Sequence, residues 1–400
     1  MSKFVVLACA AIVAAQALAA QNFHWDRLGG PDTLINSFAI HNNILFAATE
    51  KGIYRTNDEG NTWLLPVLLN DTLANTPVSA IHSYDGFFWA GIRKRPGITT
   101  LYRSSDSGNS WSAIQNFGGT DVRCFATGIS HFFVGCTNGI ARTSNSGRTW
   151  RHGLSEKTYT ICIANSFIFS GVNGFVTVSK DTGNSTYTVN PPAPQAPVGA
   201  LHYLGDSTLL AGVSYNDGVY RTTNFGVSWK SYSVGMTGTV AVSVYCFHAA
   251  GQYLFAGSSE GIYYSTNNGA KWQQINNGLT VPGDSVWALQ AHGDYLFAGT
   301  NHGIFRAKLP SVSVEEQQQL SGNSIFPNPA AESFTVRFPP KPSLQASGSV
   351  SVTVRDVFGR VVLTGAGGDT FSTAGLAAGV YFVEAAAGGR TYHEKVIIHR

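Results

Sequence analysis

Thr56-Asn57-Asp58-Glu59-Gly60-Asn61-Thr62-Trp63 is a stretch that the 400-residue chain writes six times. It returns as Ser104-Ser105-Asp106-Ser107-Gly108-Asn109-Ser110-Trp111 and as Thr143-Ser144-Asn145-Ser146-Gly147-Arg148-Thr149-Trp150. Later copies run from Ser179 through Asp181 and Gly183 to Tyr187 (one residue long), from Thr222 through Asn224 and Gly226 to Trp229, and from Ser265 through Asn267 and Gly269 to Trp272. Each copy reads as a turn. An Asp or Asn side chain accepts hydrogen bonds from backbone N–H groups two or three residues on, and the glycine supplies a positive φ. The tryptophan starts the next strand and fills space between sheets. Copies spaced by roughly 40 residues, with short strands between them, are the signature of a propeller.

A second piece recurs ahead of each turn. Leu45-Phe46-Ala47-Ala48 with Gly52-Ile53-Tyr54-Arg55 is the first copy, and Phe297-Ala298-Gly299 with Gly303-Ile304-Phe305-Arg306 is the seventh. Another short strand precedes each copy, as at Val78 to His82, Val198 to His202 and Val286 to Gln290. The repeating unit is therefore four short strands, A to D, with the turn between C and D. Seven A-B-C sets are followed by only six D strands. The missing strand is at the start of the chain, where Trp25, Leu28 and Gly30 match Trp272, Ile275 and Gly278. It is expected to pair beside Gly303 to Lys308, removing an exposed sheet edge. The predicted fold is all-β: a seven-bladed β-propeller closed by the N-terminal strand, followed by a small Ig-like β-sandwich.

These turns resemble the Asp-box, or BNR, repeat of sialidases and related propellers. The repeats also resemble those of photosystem II assembly propellers. The resemblance spans about 290 residues and implies the fold; the boxes themselves are structural turns remote from a catalytic face. Sialidase chemistry asks for an arginine triad, a Tyr–Glu nucleophile pair and an acid/base Asp. Arg55, Arg103, Arg142, Arg221 and Arg306 do recur, but at one strand-C position per unit, as a structural feature would. His82, His202 and His248 are likewise equivalent by register and read as packed residues.

Residues 310–322 break the pattern and read as a linker carrying Glu315-Glu316-Gln317-Gln318-Gln319. From 323 to 400, alternating strands at the spacing of a small sandwich follow. This segment resembles the type A C-terminal sorting domain of the type IX secretion system. The matching residues are Pro327-Asn328-Pro329-Ala330, Asp356-Val357-Phe358-Gly359-Arg360, Leu376 with Gly379-Val380-Tyr381, and Glu394-Lys395-Val396-Ile397-Ile398. The resemblance implies export, the type IX machinery as a partner, and a location outside the cell or on its surface.

Residues 1–20 have a secretory pattern: Lys3, an apolar run from Phe4 to Val13, and small residues at Ala17-Leu18-Ala19-Ala20. No later stretch is a continuous apolar 18-mer, so a soluble, single-chain mature protein without a transmembrane segment is expected. A net charge of +3 gives no reason to expect a nucleic-acid partner. Repeat alignment places Cys124, Cys162 and Cys246 at the position of Ala80, Ala200 and Ala288, as small buried residues. A Cys124–Cys136 disulfide across consecutive strands is the alternative. No residue spacing calls for a metal or a cofactor.

In such a propeller the D-to-A and B-to-C loops share one face. It collects Asp71, Asp121, Glu156, Lys157, Asp284 and the Pro191 to Pro194 loop, with Tyr215, Asn216, Asp217, Glu260 and His302. The insertion Ile92 to Gly97 adds Arg93, Lys94 and Arg95, suited to an anion or an acidic glycan. Two functions remain open: non-catalytic binding of an extracellular glycan or protein, or scaffolding, and glycoside hydrolysis by two facing carboxylates.

Overall fold

The computed structural model describes residues 23–67, 76–93, 100–128, 130–153, 156–180, 186–189, 196–215, 218–236, 242–279, 284–310, 324–326, 330–337, 351–356, 361–366, 369–387 and 390–398. The chain divides into two compact units, Met1–Leu309 and Pro310–Arg400. Every described element in both is a strand.

Among its described residues the first unit has seven four-stranded antiparallel sheets. Six are consecutive in sequence: sheet 1, for example, is Ile35–His41, Ile44–Thr49, Gly52–Thr56 and Leu64–Val67 in that order. The seventh takes Val286–His292, Tyr295–Thr300 and Gly303–Lys308 from the end of the unit, and Trp25–Arg27 from its beginning. In that sheet Trp25 lies opposite Ala307 and Arg27 opposite Phe305. First strands of successive sheets touch one another in order, and the first strand of sheet 7 touches that of sheet 1.

The turns between third and fourth strands share one hydrogen-bond pattern. Thr56 Oγ1 accepts the Gly60 N–H at 2.9 Å; Asp58 Oδ1 accepts the Thr62 N–H at 3.0 Å and Oδ2 the Thr62 hydroxyl at 2.6 Å. Those bonds to Thr62, side chain first, hold the Asp58 carboxyl down at about 2. Around Asp106 the pattern repeats, with the hydroxyl of Ser104 in the role of Thr56. Around Asn145, Asn224 and Asn267 an amide oxygen replaces the carboxylate. The residue before each glycine is also left-handed, Glu59 at φ 56° ahead of Gly60 at φ 84°. Asp181 and Gly183 lie outside the described residues.

The tryptophan after each turn packs back onto the preceding sheet. Trp63 joins Phe297 and Ile304 of sheet 7, Trp111 joins Phe46 of sheet 1, and Trp272 joins Leu210 of sheet 5. Trp25 does the same for sheet 7, packing with Phe255, Ile262 and Tyr264 of sheet 6. Its anchoring repeats that of Trp272 atom for atom. Trp272 Nε1 donates to Tyr232 O at 3.0 Å and its N–H to Val234 O at 2.8 Å; Trp25 Nε1 donates to Ile275 O at 2.6 Å and its N–H to Asn277 O at 2.8 Å. Gly278, at φ 94°, lies where any Cβ would strike the Trp25 carbonyl, so the approach needs glycine twice over.

The register also moves one residue from its expected place. Thr160, not Cys162, stands at the position of Ala80 and Cys246; Cys162 occupies the position of His82, His202 and His248. The four described cysteines are free, and Cys124 faces Gly135 across the ladder, not Cys136. Burial pushes the Cys124 and Cys246 thiols up to about 12.

In the second unit a three-stranded sheet (Ser324–Phe326, Ser333–Arg337, Thr370–Ser372) and a four-stranded one (Val361–Ala366, Ser351–Arg355, Gly379–Ala387, Arg390–Ile398) enclose Phe334, Val352, Val354, Phe371, Tyr381, Val383 and Val396. The Tyr381 hydroxyl donates to Ala377 O at 3.0 Å. Pro327, Asn328, Pro329 and Gly359 lie outside the described residues, as does the whole segment 1–20.

Two measurements follow from this packing. Trp25→Ala removes a side chain that is 1% exposed, and urea unfolding should show a loss of about 3–5 kcal/mol. His82 and His248 are held neutral by burial, down to about 4, and His248 Nε2 accepts the Ala291 N–H at 3.0 Å. Their folded values lie below the unfolded value of 6.5. Their contribution is therefore complete above pH 6.5 and is lost as pH falls from about 6.5 to about 4, by roughly 2–4 kcal/mol each. Unfolding free energies should decline across that window, and the hydrogen-bonded Asp58 and Asp106 carboxyls, held down at about 2, should extend the decline below pH 4.

Candidate functional site

Antiparallel pairing sends the connections between second and third strands, and those leading to the next sheet, out of the same end of every sheet. The first kind is built on one device. Thr49, Ser258 and Thr300 each donate a hydroxyl to the carbonyl three residues on, at Gly52, Gly261 and Gly303, and accept the intervening N–H of Lys51, Glu260 and His302. The turn is therefore fixed by its ends. Its two middle residues are free to differ: Glu50-Lys51, Ser259-Glu260, Asn301-His302.

Sheet 7 uses that freedom. His302 Nδ1–H donates to Asp284 Oδ1 at 2.6 Å, with Asp284 2% exposed and the imidazole 54% exposed. Arg27 Nη2 donates to the His302 carbonyl at 3.0 Å and to Asp32 Oδ1 at 2.8 Å, so the turn is clamped from the first strand of the chain. Asp284 Oδ2 is buried without a partner. At the equivalent position other sheets place Thr76, Thr120 and Val242, and sheet 4 places Glu156, which is exposed where Asp284 is buried. In sheet 3 the equivalent link is uncharged, the Thr120 N–H donating to Asn138 Oδ1 at 2.9 Å.

The second departure from the repeat lies at a bulge in the first strand. This position holds Asn36, Ser79, Arg123, Gly199, Tyr245 and Trp287, with Tyr159 its counterpart in sheet 4. Small polar residues here bridge to the following sheet: Asn36 Nδ2 donates to Val78 O at 3.0 Å, and the Ser79 hydroxyl to Val122 O. Arg123 lies over the Tyr159 ring at 5.4 Å. Tyr245 and Trp287 stack at 4.1 Å and 15°, and the Trp287 Nε1–H donates to Asn301 Oδ1 at 2.7 Å. Trp287 remains 38% exposed. A stacked aromatic pair with Trp287 exposed, beside a half-exposed imidazole held by the buried Asp284, is an asymmetric cluster, which the repeat pattern gave no reason to expect.

Other predicted contact residues are scattered around the same end. Arg93 pairs with Glu50 at 3.3 Å; Lys94, Arg95, Asp71, Asn216, Asp217 and the Pro191 to Pro194 loop lie outside the described residues. Tyr215 is 73% exposed in a left-handed turn. The Glu260 carbonyl accepts from Gln274 and Asn276 at 2.8 and 2.7 Å. Lys157 lies 5.0 Å over Tyr159. Asp284 and His302 are the predicted residues brought into direct contact. Trp287, Tyr245 and Asn301 were not singled out from sequence, although aromatic residues at the bulge in sheets 6 and 7 are visible in the aligned repeats.

The repeated arginines belong to the opposite end. Arg55 donates to Asn109 Oδ1 at 2.9 Å, Arg103 to Ser146 O at 2.6 Å, and Arg306 to Glu59 O at 2.5 Å and Asn61 Oδ1 at 2.9 Å. Each reaches from its own sheet into the turn of the next, which is a stitch and not a carboxylate triad. Arg221 bonds the Tyr232 hydroxyl at 2.5 Å instead.

With this geometry in place, comparison with known proteins adds two findings. Residues 324–399 match the secretion system C-terminal sorting domain. No curated protein matches the chain at the level of sequence. Among solved structures, YCF48 from Cyanidioschyzon merolae superposes with a TM-score of 0.56 at 14% identity, over 72% of this chain and 99% of that one. PorZ, a surface component of the type IX secretion system of Porphyromonas gingivalis, gives 0.54 at 13%, over 93% of this chain and 60% of PorZ. Virginiamycin B lyase from Staphylococcus aureus gives 0.57 at 14%, over 72% and 99%.

The class that follows is a β-propeller fold joined to a C-terminal sorting domain. The sorting domain marks the chain for type IX export to the cell surface or beyond it, and makes that machinery its partner. No helix among the described residues is long and apolar enough to cross a membrane. Identities of this size carry the fold alone; one neighbour is a lyase, so the fold does not choose between binding and catalysis.

The stitching arginines give a direct test. Arg306→Ala removes two charge-assisted bonds and a contact 4.5 Å over the Tyr295 ring. Thermal and urea unfolding should show about 1–3 kcal/mol of destabilisation.

Proposed function

We propose that this protein is an exported binding or scaffolding module without catalytic activity. In this reading residues 1–20 are a cleaved signal, 21–309 a seven-bladed propeller, 310–322 a linker and 323–400 the sorting domain. The strand at Trp25 closes the ring. Support for closure comes from the pairing of Trp25 with Ala307 and from the contact between the first strands of sheets 7 and 1. The mature chain acts as a single copy, presenting the loop end to an extracellular glycan or protein.

One observation carries the functional part. Arg55, Arg103 and Arg306 are spent on stitches between sheets, whereas the opposite end places the exposed Trp287, stacked on the half-buried Tyr245, beside the turn of His302. Aromatic surface with a few fixed polar groups is what a binding site requires. Asp284 itself is unsuited to be a glycosidase carboxylate: 2% exposed and bonded to an imidazole, it cannot reach a glycosidic oxygen.

The test is the mature full-length protein applied to glycan and peptide arrays, with product analysis by mass spectrometry. Saturable binding with every ligand recovered intact is the expected result. Release of shortened glycan or peptide would contradict the non-catalytic reading.

A further inference from the structure

We infer that the rim of sheets 6 and 7 takes one ring of a neutral oligosaccharide, with Trp287 as its stacking platform and His302 Nε2 as its hydroxyl acceptor. The inference rests on the binding reading and names its ligand class.

Trp287 is immobilised on two sides. Its indole lies 4.1 Å from Tyr245 at 15°, and its one donor is spent on Asn301 at 2.7 Å. What the side chain still offers is flat apolar surface that cannot turn away. Tryptophan ordinarily anchors partners through area and through its N–H together; here only the area is left. A pyranose suits this, because one face presents C–H groups while the hydroxyls project from its edge.

Those hydroxyls need rigid partners, and the adjoining turn supplies one. His302 is held by the Thr300 hydroxyl at its N–H, by Arg27 at its carbonyl and by Asp284 at Nδ1. The Asp284 carboxylate takes the Nδ1–H and fixes the ring, which leaves Nε2 of the half-exposed imidazole to meet a ligand hydroxyl. A pre-set acceptor loses little entropy when the ligand arrives.

Asp284 is the second, independent sign. Its Oδ2 is buried without a partner, a condition that ordinarily costs about 1–3 kcal/mol. Sheet 3 joins the same two positions without an acid, through the Thr120 backbone N–H and the Asn138 amide oxygen. Fixing the imidazole gives a reason for the acid in sheet 7.

Charge argues for a neutral sugar. Among the described residues, Arg27 and Arg93 are paired with acids, with Asp32 at 2.8 Å and Glu50 at 3.3 Å, and Arg123 and Lys157 lie against Tyr159 of sheet 4. A carboxylate-bearing ligand at sheets 6 and 7 would add its charge to that of Asp284.

The experiment titrates the mature full-length protein with maltohexaose, cellohexaose, xylohexaose and mannohexaose, with trigalacturonate and hexaproline alongside, by calorimetry and tryptophan fluorescence. At least one neutral hexasaccharide should bind. Trp287→Ala should weaken that binding by about tenfold or more, equivalent to about 1.4 kcal/mol, and Trp287→Phe, which keeps a ring on Tyr245, should lose less. His302→Gln should also weaken it. Failure of all four neutral sugars to bind, or unchanged affinity in a folded Trp287→Ala, would overturn the inference. Hexaproline binding alone would sink the sugar class and leave the binding module intact. Shortened oligosaccharides would do the reverse, sinking the non-catalytic reading and keeping the ligand class.

Discussion

Trp25 sets the first described strand beside Gly303–Lys308, the last strand of the same unit. Its indole donates to Ile275, its N–H to Asn277, and its ring fills sheet 6 as Trp272 fills sheet 5. Without that strand, Gly303–Lys308 would be an open edge, a template for pairing with other chains. The same segment continues into Arg27, which grips the carbonyl of His302. Closure and the candidate site therefore share one short strand, and the geometry of the site depends on the closure.

Repetition divides the two ends of the sheets by purpose. At one end Thr56, Asp58 and their equivalents close each described turn in the same way, and arginines tie turn to turn. Identical bonds repeated around an array stabilise it but cannot single out a ligand. At the other end the Thr-x-x-Gly and Ser-x-x-Gly turns fix the backbone and release the two central residues. Specificity can then be written there without disturbing the frame, and sheets 6 and 7 carry the most pronounced departure.

How much of this was legible follows from the range of each interaction. The turns could be read because Asp58, Gly60 and Thr62 bond within a few residues. The role of Trp25 could be read because its neighbours repeat those of Trp272. Cys162 was misplaced for a physical reason: side chains alternate with period two, so a slip of two residues leaves every in-or-out assignment unchanged. Asp284 and His302 were both singled out, yet their contact was invisible, since eighteen positions separate them along the chain. Trp287 escaped because a bulge lies outside the alternation from which strands are read.

Hydrogen–deuterium exchange on the mature protein tests the central claim most directly. The Leu28 amide donates to Ile304 O at 3.0 Å and the Trp25 amide to Asn277 O at 2.8 Å. If the first strand closes the last sheet, residues 25–28 exchange as slowly as 303–308, and Trp25→Ala releases both segments together. Fast exchange at 25–28 beside slow exchange at 303–308 would contradict the account.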